Sequence, residues 1–101
     1  MKIAFFDTKP YDHIWFDRLA EEYGYQIKYF EHRLGEDTAV LARGFDVVCV
    51  FVGDTLNAEV IDLLCQGGVK LIALRCAGYN NLDIKAMGGK IRAVRVPSYS
   101  P

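Results

Sequence analysis

The run LIALRCAGYNNLDIKA, residues 71–86, places an arginine, a cysteine and a glycine-containing turn directly after an apolar strand. Small residues at Ala77 and Gly78 let a ligand approach the main chain, and successive backbone N–H groups in such a turn can form an anion-binding nest. An ordinary strand-to-helix turn with φ > 0 at Gly78 fits the same residues. Arg75 could bind an anionic ligand, although pairing with a surface acid is the default for an exposed arginine. Cys76 lies beside that cation, which can lower a thiol pKa, but no second Cys or His is near it in sequence, so an inert thiol is favoured. Asp54 is a candidate carboxylate, and an acid just before a helix more often caps it. His13 and His32 fall on a predicted helix and in a predicted loop, away from strand ends, and read as solvated. The chain has no G-x-G-x-x-G and no P-loop, hence no recognisable cradle for a nucleotide phosphate. Its three cysteines lack metal-ligand spacing, so no metal site is expected, and they fit a reducing cytosol better than a disulfide framework.

What must position such a turn is a set of alternating strands and helices. Five apolar runs read as strands: Lys2–Phe6, Gln26–Phe30, Asp46–Val52, Lys70–Leu74 and Arg92–Val96. The third is β-branched and apolar on both faces and belongs in the sheet centre. The second alternates and reads as a half-exposed edge. Helices are predicted over Pro10–Tyr23, with Tyr11, Trp15, Leu19 and Tyr23 on one stripe, over Glu36–Arg43, over Thr55–Cys65 with Val60, Ile61 and Leu64 inward, and over Leu82–Met87. Alternation at this spacing implies right-handed parallel crossovers, hence an α/β fold with an open parallel five-stranded sheet and helices on both faces. Ligands of such sheets bind at the carboxyl ends of the strands. In this sequence those ends are Asp7-Thr8-Lys9, Phe51 to Asp54, Arg75 to Tyr79 and Val96 to Tyr99.

Bulk properties narrow the function classes. A length of 101 residues allows one domain with a modest core. The net charge is −1 with scattered Lys and Arg, which leaves no electrostatic footprint for nucleic acid or an anionic membrane. No apolar run is long enough to span a bilayer, and no charged-then-apolar leader follows Met1, so a cytoplasmic protein is expected.

Several segments taken together carry a family resemblance. LIALRCAGYNNLDIKA with RVPSYSP, and MKIAFFDTKPYD, FDVVCVFVGDTLNAEVIDLL and GVKLIALRCAGYNNLD in that order, resemble the NAD-dependent D-2-hydroxyacid dehydrogenases, nearest to their D-lactate branch, over essentially the whole chain. The resemblance implies residues 1–101 as an N-terminal substrate-binding domain segment, flavodoxin-like in topology. The nucleotide-binding domain and the C-terminal return segment would lie outside it. It implies a homodimeric enzyme that reduces a 2-oxo acid such as pyruvate with NADH. The amides of Ala77 and Gly78 would hold the substrate carboxylate, Tyr99 would border the active site, and Phe51 would line the pocket for the substrate side chain. The arginine, acid and histidine that carry the family's catalysis have no counterpart in this segment, nor does the NAD site, so the chain alone is expected to be inactive. The alternative is a stand-alone signalling or binding module of the receiver type. That class needs an acidic pair after strand one and a lysine ending strand five, whereas Asp7 is single and Val96-Pro97 stands in the lysine's place.

Overall fold

The computed structural model describes residues 1–51, 56–74, 88–89 and 91–95, apart from the side chains of Tyr11, Asp12, Trp15 and Arg95. Its elements run β1 (Lys2–Phe5), α1 (Pro10–Tyr23), β2 (Gln26–Tyr29), a 3-10 turn (Ala39–Ala42), β3 (Val47–Val50), α2 (Ala58–Gln66), β4 (Leu71–Leu74) and β5 (Arg92–Arg95). The strands form one five-stranded sheet in the order β2-β1-β3-β4-β5, and every pairing is parallel. Parallel pairing requires each connection to cross a face of the sheet, so both faces can be covered.

The strand alternation divides the core accordingly. Ala4, Phe6, Val48, Val50, Ile72 and Leu74 point to the face covered by α2 and the 3-10 turn, where they meet Val60, Ile61 and Leu64. Phe5 and Cys49 point the other way, to Phe16 and Leu19 of α1. All four residues of β3 are buried, as its two-sided apolar pattern requires, and β2 alternates between exposed and half-buried positions as an edge strand does. Each of Val60, Ile61 and Leu64 is fully buried, and burial of such a side chain contributes about 1.5–3 kcal/mol.

Helix ends follow local chemistry. Gly24 has φ +73, and Tyr25 N–H donates to the Ala20 carbonyl at 3.0 Å, closing α1 with a left-handed cap. Asn57 caps α2, its side-chain oxygen accepting from Val60 N–H at 2.9 Å. Asn57→Ala is expected to lower stability by about 1 kcal/mol, read as a lower urea midpoint with an unchanged slope.

Three expectations are corrected. The stretch Glu36–Arg43 is not an α-helix but a single 3-10 turn. Thr38 Oγ1 accepts from Gly35 N–H at 2.9 Å and donates to the Arg33 carbonyl at 2.7 Å, so the segment is held as a side-chain-bridged turn. The second α-helix starts at Ala58 rather than at Thr55, because Asn57 supplies the cap. On α1 the inward stripe holds Phe16 and Leu19. Tyr23 stays 61% exposed and stacks instead on Tyr25, with ring centroids 5.7 Å apart. The predicted helix Leu82–Met87 lies outside the described residues.

Candidate functional site

The strand order reverses between β1 and β3: the chain steps from β1 outward to β2, then returns past β1 to build β3, β4 and β5. The helices that follow β1 and β3 accordingly cover opposite faces of the sheet, and in doubly wound sheets ligands bind outside the carboxyl ends of the strands at such a reversal. Phe5 is in register with Cys49, and Phe6 N–H donates to the Cys49 carbonyl at 2.9 Å. Continuing that register brings Asp7 level with Phe51.

Phe51 follows directly on β3 and is half-buried at this edge. The family resemblance implies a pocket-lining role for this residue. Ala77, Gly78 and Tyr99, the other expected substrate contacts, lie outside the described residues, as do Arg75, Cys76 and Asp54. The side chains of His13 and His32 are exposed. His13 stacks on Tyr29 with ring centroids 3.9 Å apart, and Tyr29 Oη donates to Asp17 at 2.7 Å, a clasp between α1 and β2. Among the described residues no cluster of His, Cys, Asp and Glu has the makings of a metal site, and no helix is long and apolar enough to cross a membrane.

Level with Phe51, the end of β1 carries a feature that the residue order alone does not reveal. Asp7 is 5% exposed and adopts φ 51, a left-handed conformation uncommon outside glycine. Its carboxylate accepts a 2.9 Å ion pair from Lys9 Nζ, and the Lys9 side chain is 38% exposed. The turn is held firmly. Asp7 N–H donates to the His32 carbonyl and Thr8 N–H to that of Phe30, while Thr8 Oγ1 reaches the carbonyls of Phe5 and Phe30 at 3.1 and 2.9 Å. The available signal was a lone acid followed by Thr and Lys at the end of an apolar strand.

Near the start of α2, Asn57 Nδ2 donates to Glu36 at 3.3 Å. The exposed Glu59 carboxyl is raised above its ordinary value, first by a hydrogen bond with Glu36 and then by the like charge of that neighbour. Hollows are present elsewhere among the described residues. One of about 280 Å³, lined by Val40, Arg43, Leu63, Gln66 and Gly67, opens at the amino ends of the strands.

Comparison with known proteins agrees with this geometry. Residues 3–101 match the catalytic domain of the D-isomer specific 2-hydroxyacid dehydrogenases. The 2-hydroxyacid dehydrogenase homolog 1 of Schizosaccharomyces pombe is 50% identical over 102 residues, covering 100% of this chain and 31% of that protein. A solved D-lactate dehydrogenase from Salmonella superposes with a TM-score of 0.92 at 43% identity, over 100% of this chain and 31% of the other. An NAD-complexed D-isomer specific 2-hydroxyacid dehydrogenase from Lactobacillus delbrueckii ssp. bulgaricus gives a TM-score of 0.89 at 27% identity, again over 100% and 31%. The chain thus spans about 31% of the length of the relatives it matches.

Proposed function

We propose, since this chain belongs to the D-isomer specific 2-hydroxyacid dehydrogenase family, that it forms the substrate-binding segment of an oxidoreductase converting a 2-oxo acid such as pyruvate to a D-2-hydroxy acid. The observation that carries the reading is the β1/β3 reversal, with Phe51 directly after β3, in a sheet whose family match runs over residues 3–101. A receiver module shares the strand order, and the family match decides between the two.

In this reading the main-chain amides of Ala77 and Gly78 hold the substrate carboxylate, Phe51 borders the substituent on C2, and Tyr99 closes the site. Amides aimed at a carboxylate are charge-assisted donors, stronger than neutral hydrogen bonds. The cofactor is NAD, which supplies hydride chemistry when bound. The residues of this chain do not fit it, because no glycine-rich dinucleotide loop is present, so its site belongs to a nucleotide-binding domain beyond this segment. The enzyme is proposed to be a cytoplasmic homodimer.

Phe51→Leu in the full-length enzyme tests the pocket. Removing the ring adds room beside the C2 substituent, and kcat/KM for phenylpyruvate relative to pyruvate is expected to rise about tenfold. An unchanged ratio removes Phe51 from the pocket. A parallel fall for both acids, with a lower melting temperature, marks a phenylalanine that only packs.

A further inference from the structure

We propose that the hollow between the 3-10 turn and the end of α2 is a ligand site, which takes a small monocarboxylic acid with a short apolar chain through Arg43. It opens at the amino ends of the strands, and it does not depend on the dehydrogenase reading.

The first observation is the lining. At about 280 Å³ the hollow is near the lower end for small-molecule sites, with room for a handful of carbon atoms. Val40 and Leu63 give it apolar walls, and Gln66 and Arg43 give it polar groups. Val40 is 57% exposed, apolar surface that a short chain would cover. Among the described lining residues Arg43 alone is charged. One cation beside an apolar wall matches a single negative charge with a chain behind it, better than it matches a bare dianion.

The second observation is how Arg43 is held. A Cβ on Gly67 would come within 3.1 Å of the Arg43 Cγ and 3.2 Å of its Cα, so the arginine stem lies on bare main chain at the end of α2. Gly44 N–H donates to the Gly67 carbonyl at 3.0 Å, and Arg43 N–H to that of Val40 at 3.2 Å. The base of the side chain is thus fixed before a ligand arrives, which lowers the ordering cost of binding. The third concerns what else the guanidinium could do. Cations at a helix C-terminus commonly meet its last carbonyls. Here main-chain donors serve them: Gly67 N–H reaches the Leu63 carbonyl at 3.1 Å, Gly68 N–H that of Cys65 at 3.1 Å and Val69 N–H that of Leu64 at 3.0 Å. Among the described residues no acid forms an ion pair with Arg43.

The test uses the full-length protein with methyl-labelled valine and leucine, read by NMR. The probe is hexanoate, with hexanol as its uncharged counterpart. Saturable shifts of the Val40 and Leu63 methyl signals are expected with hexanoate at a Kd of about 1 mM, the scale for a ligand of so few atoms. Hexanol should bind about tenfold more weakly, because it lacks the charge-assisted pair with the guanidinium. Arg43→Met keeps an unbranched stem over Gly67 and removes the charge. It should weaken hexanoate about tenfold and leave hexanol unchanged. Shifts confined to other methyl groups overturn the proposal. So does equal affinity for hexanol and hexanoate, which marks a merely apolar hollow, or an unaltered hexanoate affinity in Arg43→Met. The comparison of the two probes is made on the parent protein, so it decides the matter even if the variant fails to fold.

Discussion

Phe6→Ala is expected to destabilise the domain by about 3–5 kcal/mol, the range for truncating a buried phenylalanine. Phe6 is fully buried just past β1, and its ring stacks on Phe30 with centroids 5.0 Å apart. Phe30 in turn meets Phe45 edge-on at 6.4 Å. Alanine would empty the head of this aromatic row, and the fixed main-chain bond from Phe6 N–H to the Cys49 carbonyl prevents the strand from moving in to fill the space. Domains of this size are stable by only about 5–15 kcal/mol, so the loss is a large share of the total. Urea unfolding followed by circular dichroism measures it. Val94→Ala on β5, at a side chain 46% exposed, is the control and should stay within about 0.5 kcal/mol of the parent. A loss below about 1 kcal/mol for Phe6→Ala would show that the aromatic row is not close-packed.

The second large effect concerns substrate use. Gly78→Val in the full-length enzyme is expected to reduce kcat/KM for pyruvate about ten- to a hundredfold, as loss of one charge-assisted amide bond would. NADH affinity should stay nearly unchanged. If the turn binds the carboxylate as proposed, a β-branched side chain there would resist a left-handed backbone and fill the space through which the carboxylate reaches the main chain. Thermal stability and NADH affinity, measured on the same sample, separate this from misfolding of the turn. A folded variant with normal pyruvate kinetics would move the carboxylate elsewhere.

Much of the sheet was legible because its residues leave little choice. Val47 to Val50 can only be central, being apolar on both faces, and Gln26 to Tyr29 can only be an edge. The inward triplet Val60, Ile61 and Leu64 was legible for the same reason. The 3-10 turn at Ala39–Ala42 was not, since helix-dipole and stop signals over Glu36–Arg43 compete with the Thr38 hydroxyl, whose bonds to Gly35 and Arg33 depend on how the loop folds back. On the α1 stripe Leu19 packs on the core as read, but Tyr23 was misplaced because tyrosine suits either environment, and it finds Tyr25 at the surface while Phe16 takes a core position. Of the candidate site, Phe51 could be placed from the end of an apolar run. The Asp7–Lys9 pair could not, because an acid after a strand is commonplace and only the left-handed backbone and the burial of its carboxylate distinguish this one.

The reversed strand order also governs when the molecule can assemble. Lys2 and Asp46, joined by a hydrogen bond across β1 and β3, are 44 residues apart in sequence. Until β3 leaves the ribosome, β1 has only β2 beside it, and its other edge offers bare amides and carbonyls to any strand in reach. Translation at about 5–20 residues per second keeps that edge open for seconds, far longer than a hairpin needs to form. The nascent chain therefore passes through a stage in which its most apolar pairing surface is unfinished, and chaperone dependence should concentrate in that interval.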